Sequence, residues 1–189
     1  MSLRILGGAL RGRVLKTPKG APVRPTTGLL KKSFFDICKD RIVETNFLDL
    51  FAGSGAIGIE ALSRGAAHAT FIDSDRRSIL CIQENLRALK LEEQATLLTG
   101  DVETVLRRLE EMKKKYDLIY IDPPYEKNTY HPELLTLLDG MELARHADIF
   151  IEEAYPSPWE KQPIPLKHFI CKDRRHFGRS ILHQYLPVS

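Results

Sequence analysis

The run Asp122-Pro123-Pro124-Tyr125 brings a carboxylate, two rigid prolines and an aromatic ring together directly after the apolar stretch Asp117-Leu118-Ile119-Tyr120-Ile121. Such a stretch reads as a buried strand, and in an open α/β sheet the residues just past its carboxyl end border the crevice where ligands bind. The chemistry these residue types suit is transfer of a methyl group to an exocyclic base amine, whose lone pair is delocalised into the ring and therefore a poor nucleophile. The Asp122 carboxylate and a rigidly displayed carbonyl from Pro123 or Pro124 can accept the two N–H bonds of that amine, favouring the pyramidal geometry of attack. Tyr125 would stack on the extruded base. The bland alternative is a strand terminator, since proline cannot donate to a sheet ladder.

A second constellation lies upstream, where Leu48-Asp49-Leu50-Phe51 runs into Ala52-Gly53-Ser54-Gly55-Ala56-Ile57-Gly58 and then a helix. Glycines let the backbone turn tightly and approach a ligand, and the helix start offers free N–H donors. Asp73, twenty residues after Gly53, ends the next apolar stretch, where a carboxylate can accept from ribose hydroxyls. Ile59-Glu60 after Gly58 excludes a Walker A loop. The turn alone suits a nicotinamide dinucleotide as well as S-adenosylmethionine, or a ligand-free turn. Hydride transfer, however, has no use for Asp-Pro-Pro-Tyr.

These residues need a scaffold, and the middle of the chain supplies strand and helix in alternation. Apolar runs at Asn46 to Phe51, Ala69 to Asp73, Ala95 to Leu98, Leu118 to Ile121 and Ile149 to Ile151 read as buried parallel strands. Helix-period segments fall at Ile57 to Ser63, Arg76 to Leu89, Val102 to Met112 and Pro132 to Leu138, with Asp75 and Asp101 at N-cap positions. The pattern predicts a doubly wound, Rossmann-like α/β sheet. Upstream, Leu3 to Leu6 and Arg11 to Lys16 suggest a small arginine-bearing hairpin, followed by a helix from Leu29 to Lys39. Downstream, Lys167 to Lys172 and Ser180 to Tyr185 predict an antiparallel hairpin across Gly178 at the sheet edge.

Charge is divided unevenly. Residues 1–41 carry +8, residues 42–160 carry −10 and residues 161–189 carry +5. Basic ends around an acidic body suggest arms that meet a polyanion, with residues 1–41 as an extension and 42–189 as the catalytic domain. The 189 residues bury enough surface to fold without staples, and Cys38, Cys81 and Cys171 have neither zinc nor disulfide spacing. No metal, no membrane span and a reducing cytoplasmic setting are expected.

Taken together, Asp49 to Gly65 (DLFAGSGAIGIEALSRG), Phe71-Ile72-Asp73, Gly100-Asp101, DPPY, Arg4-Ile5-Leu6-Gly7-Gly8 with Arg11-Gly12-Arg13, and Arg24-Pro25-Thr26-Thr27 resemble the RsmD family of bacterial 16S rRNA guanine-N2 methyltransferases. The resemblance spans nearly the whole chain. It implies a class I methyltransferase fold, S-adenosylmethionine as donor and a guanosine of 16S rRNA in the 30S subunit as acceptor, with a monomeric enzyme expected. By motif, Asp49, Phe51, Gly53, Ser54, Gly55 and Gly58 would border the donor, Asp73 its ribose and Asp101 its adenine amine. Asp122, Pro123, Pro124 and Tyr125 would meet the acceptor base. Arg24, Thr26 and Thr27 resemble a segment that closes over the site, and Arg4, Arg11 and Arg13 would contact RNA. DNA adenine and protein glutamine methyltransferases carry similar D/N-P-P-Y motifs, so an N6-adenine acceptor in DNA or RNA stays open on the motif alone. Two departures stand out: the family shows acidic residues where Gly28 and Lys32 stand, and Arg175 to Arg179 matches its tyrosine-glycine segment only loosely.

The remaining candidates read structurally. The six histidines show no ligand spacing, Lys113 to Lys115 complement a helix dipole on a solvated face, Cys81 is core, and Trp159 packs or touches RNA.

Overall fold

The structure is a computed structural model that describes residues 3–18, 28–124, 130–156 and 164–188, and the backbone alone at 130 and 131. Strands β1 (Leu3–Arg4) and β2 (Val14–Leu15) form a two-stranded antiparallel sheet, followed by α1 (Gly28–Ile37). The body then alternates: β3 (Asn46–Leu50), α2 (Ala56–Ser63), β4 (His68–Asp73), α3 (Arg76–Leu89), β5 (Ala95–Thr99), α4 (Val102–Glu111), β6 (Leu118–Ile121), α5 (Tyr130–Asp139) and β7 (Asp148–Ala154). A hairpin of β8 (Phe169–Phe177) and β9 (Ser180–Pro187) completes a seven-stranded sheet in the order β5-β4-β3-β6-β7-β9-β8. The strands β3 to β7 pair in parallel, and β9 enters antiparallel between β7 and β8.

Alternate residues of each strand feed two cores, as the period of two requires. Phe47, Phe71, Tyr120 and Phe150 face α1, α2 and α3, where the buried Phe34 ring lies 4.8 Å from that of Tyr120 and 4.9 Å from that of Phe150. Leu48, Leu50, Ile119, Ile121, Ile149 and Ile151 face α4 and α5. Helices on both faces of a mainly parallel sheet give the Rossmann-like architecture that the sequence predicts. Asp75 and Asp101 cap α3 and α4, accepting from the N–H groups of Arg77 and Thr104.

Several elements exceed their sequence bounds, β7 and the terminal hairpin by the most. β7 runs past Ile151 through Glu152 and Glu153, because it pairs with β9 as far as Ala154 opposite Ser180. The terminal hairpin is likewise longer than the apolar residues suggest, its register shifted between Cys171 and Asp173. By contrast, the N-terminal hairpin pairs only two residues on each side.

Hydrogen bonds to Ser63 and Asn85 tie the N-terminal segment to the body, and one buried acid joins its elements. Glu60 on α2 is fully buried; its Oε2 accepts from the Leu6 N–H at 2.9 Å and lies 2.8 Å from Lys31 Nζ on α1. Its Oε1 accepts from Arg64 Nη2 at 2.7 Å and Nε at 3.1 Å, and the Arg64 guanidinium lies over the Phe35 ring. Lys31 also donates to the Arg4 carbonyl at 3.0 Å. Hairpin, α1 and α2 therefore meet at a single carboxylate.

Candidate active site

Strand register brings the chemistry to one edge. Leu50 pairs with Ile72 of β4 and Ile121 of β6, so Phe51, Asp73 and Asp122 stand side by side at the carboxyl ends of three adjacent strands. Asp73 pairs with Thr99, which sets Gly100 and Asp101 at the end of the next strand. The chain order reverses at β3, with β4 and β5 to one side and β6 to the other. A ligand site outside the carboxyl ends at such a switch point is the general rule for open α/β sheets.

The glycine turn connects β3 to α2 under visible constraint. Phe51 adopts φ 60°, in the left-handed region where a bulky side chain is strained. Gly55, the N-cap of α2, has φ 74°, which glycine takes without a Cβ penalty. Gly58 serves packing, since a Cβ there would come 2.3 Å from the Phe71 ring and 3.1 Å from Asp49 Oδ2. A Cβ at Gly53 would meet nothing closer than the Phe51 carbonyl oxygen at 3.9 Å, which leaves the turn open on that side.

Three carboxylates hold this edge, each in a different setting. Asp73 accepts from the Gly53 N–H at 2.8 Å through Oδ2 and from the Asp75 N–H at 2.8 Å through Oδ1, so it braces the turn. Burial pushes its pKa up, against the backbone hydrogen bonds from Asp75 and Gly53 and one from the Ser78 side chain. With about four lone-pair sites, the carboxylate keeps capacity for a further donor. Asp101 is exposed and engaged by Thr104 through its N–H and hydroxyl. Asp122 is half-buried, with Pro123 half-buried and Pro124 exposed beside it.

Asp49 lies deeper, buried beneath the first turn of α2, where it accepts from the Gly58 N–H at 2.9 Å. Burial first, with the charge of Asp73 adding, pushes its pKa up to about 8 against that hydrogen bond. A carboxyl whose pKa is higher folded than unfolded holds its proton more tightly in the native state. Its contribution to stability is therefore complete below about pH 4 and lost as pH rises towards 8. Asp49→Asn keeps an acceptor for Gly58 and removes the titration. Without ligand, the variant is expected to lose less stability than the parent between pH 5 and pH 8, with a gap of about 1 kcal/mol or more by urea unfolding. Parallel curves for the two proteins would contradict this assignment.

Beneath Asp122 the same edge carries a pair that sequence reading passes over. Tyr120, buried, donates its hydroxyl to Glu152 Oε2 at 3.0 Å. Burial, then the charges of Glu152, Asp122 and Asp49, drive the Tyr120 pKa up, so its hydroxyl stays a donor. On the opposite face Glu153 lies 3.0 Å from His183 Nε2, placing one of the six histidines in a buried pair.

Other expected residues divide. Arg11 and Arg13 are exposed, while Arg4, also exposed, donates to the Gly12 carbonyl and Lys16 pairs with Glu84 at 2.9 Å. Cys81 is buried, as expected. Tyr125, Arg24, Thr26, Thr27 and Trp159 lie outside the described residues. No helix among the described residues is long and apolar enough to cross a membrane.

This chain matches the model of the family described as Conserved hypothetical protein 95 over residues 3–186. It is 36% identical over 154 residues to Ribosomal RNA small subunit methyltransferase D of Escherichia coli (strain K12), covering 79% of this chain and 74% of that one. The solved structure of Escherichia coli yhhF is 30% identical, with a TM-score of 0.81 over 99% of this chain and 98% of the other. SMU.776, complexed with SAH, shares the fold at 16% identity and a TM-score of 0.65, over 84% of this chain and 49% of that one. A family model that spans residues 3–186 makes this chain a member of the Conserved hypothetical protein 95 family, and it is similar to the ribosomal RNA small subunit methyltransferase D proteins.

Proposed function

We propose that the protein methylates the exocyclic N2 amine of a guanosine in 16S rRNA on the 30S subunit, with S-adenosylmethionine as donor. The observation that carries this reading is the placement of Asp122 beside Phe51 and Asp73 at the switch point of the sheet. Family membership and the name of the Escherichia coli relative support rRNA methylation. Guanine N2, the assembled subunit, a monomeric state and a cytoplasmic setting are the finer parts of the reading, carried by the motif order and the charge pattern. An N6-adenine acceptor is the second reading, because the acceptor motif suits either amine.

The residues fit the donor. Asp73 has acceptor capacity for ribose hydroxyls, the turn at Gly53 is open, and the N–H groups at the start of α2 face the same edge. When bound, S-adenosylmethionine supplies a methyl group on an electrophilic sulfonium. The chain then has three tasks: to brace the turn through Asp73, to orient the amine through Asp122 and a proline carbonyl, and to stack the base through Tyr125. Calorimetric titration distinguishes this from the nicotinamide alternative. S-adenosylhomocysteine should bind tightly and NAD should not; the reverse result would end the proposal.

The basic extension, residues 1–41, is assigned to RNA backbone contact, with Arg24, Thr26 and Thr27 closing over the site. Phosphate contacts position a protein without reading sequence, and their loss weakens the salt dependence of binding. Arg11→Ala with Arg13→Ala should lower the magnitude of the slope of log K against log salt by about 0.7 to 0.9 per lost contact. Donor affinity should stay unchanged. An unchanged slope in the folded double variant would show that these arginines only solvate the hairpin.

A further inference from the structure

Lys114 and Lys115, just beyond α4, line a cavity of about 570 Å³ between α4 and the face of β4 and β5. Asn46, His68 and Tyr116 put one end of it near the amino ends of β3, β4 and β6, whereas Asp73 and Asp122 lie at the carboxyl ends. Its size falls within the range of roughly 300 to 1,000 Å³ typical of small-molecule sites.

The lining is segregated by chemistry. Leu98, Leu109 and Met112 contribute apolar surface, and Arg108 joins the two lysines. Three of its hydroxyl groups already have partners: Tyr116 donates to Thr70 Oγ1 at 3.2 Å, and His68 Nε2 lies 2.9 Å from Thr96 Oγ1. Burial, with the Lys114 charge adding, lowers the His68 pKa, so the imidazole is neutral near pH 7 and the positive charge belongs to the Arg and Lys side chains. Among the described residues no acidic residue lines the cavity, and Arg108, Lys114 and Lys115 form no salt bridge; a charge partner, Glu142, interacts with Lys115 from outside the lining. Cations gathered over apolar surface without carboxylates are complementary to an anion that carries an apolar body. Flat RNA phosphate contact would need the cations but would leave the recessed apolar wall unfilled.

We propose that this cavity binds a small amphipathic anion, a carboxylate or phosphate monoester, with its apolar body against Leu98, Leu109 and Met112 and its charge on Arg108 and Lys114. The proposal does not depend on the methyl-transfer reading; Thr99 and Val105 bring the other end of the cavity beside Gly100 and Asp101.

Two-dimensional NMR titration of the full chain with octanoate, octyl phosphate and the neutral match octanol tests this directly. Saturable shifts at the Leu98, Arg108 and Met112 amides are expected from at least one anion, with octanol about tenfold weaker or more. The tighter anion identifies the headgroup. Arg108→Glu with Lys114→Glu, both outside the apolar wall, should weaken the anions about tenfold or more and leave octanol unchanged. Octanol binding as tightly as the anions would reduce the cavity to an apolar groove. Shifts from an RNA oligonucleotide at these amides with none from either anion, or no saturable shift from any ligand, would overturn the proposal.

Discussion

Asp122→Ala is expected to lower the turnover number by about 10²- to 10³-fold, the range for loss of one preorganised group at the reacting centre. Its affinity for S-adenosylmethionine should stay within a factor of about three, because the glycine turn at the donor site is braced by Asp73. Asp122 stands half-buried next to Phe51, on the β6 side of the switch point, whereas the glycine turn is braced by Asp73 on the β4 side. Asp73→Ala should therefore show the opposite profile. It removes the acceptors of two backbone hydrogen bonds and the proposed ribose partner, and one charge-assisted bond alone is worth about 1.5 to 3 kcal/mol, or roughly ten- to a hundredfold in donor affinity. Calorimetry for binding and single-turnover kinetics for chemistry separate the two variants. Normal turnover by Asp122→Ala would remove the residue from the mechanism.

Glu60→Ala should be the most destabilising single change in the N-terminal assembly, at about 3 to 5 kcal/mol, because it strands a buried ammonium. Lys31 is 4% exposed and would lose its carboxylate, the Leu6 N–H would lose its acceptor, and Arg64 would lose both hydrogen bonds. In a chain of this length that corresponds to a drop in Tm of roughly 6 to 20 °C. Glu84→Ala is the control. It removes a second ion pair of the same N-terminal segment, Lys16 with Glu84, but those side chains are 67% and 61% exposed and the expected cost is about 1 kcal/mol or less. Equal losses in the two variants, measured by denaturant unfolding, would show that the Glu60 junction does not hold the hairpin and α1 to α2.

The parts of this molecule that were legible in its sequence are those set by local rules. A continuous apolar run and a helix-period pattern locate β6 and α3 at their observed bounds, and Asp75 and Asp101 announce the starts of α3 and α4. The glycine turn and the three strand-edge acids were also visible, since each sits at the end of an apolar run. What stayed hidden depends on partners distant in the chain. Glu60 enters the sequence reading only as a residue that excludes a Walker A loop, within the stretch that carries the family resemblance, yet its carboxylate faces Leu6 and Lys31. The one available signal was an acid in the otherwise apolar helix AIGIEALS, which demands a buried partner. Glu152 and Glu153 look like the end of β7 because charged residues break an apolar run, but Tyr120 and His183 accept them into the sheet. Phe51 gives no sequence sign of its left-handed backbone, which follows from the turn that must begin immediately after it.

Transfer of a tritiated methyl group from S-adenosylmethionine to 30S subunits lacking the modification, followed by digestion to nucleosides, tests the central claim most directly. Label recovered in N2-methylguanosine, and lost with Asp122→Ala, is the predicted result. Label in N6-methyladenosine or in ribosomal protein, or none at all from folded protein that binds the donor, would contradict it.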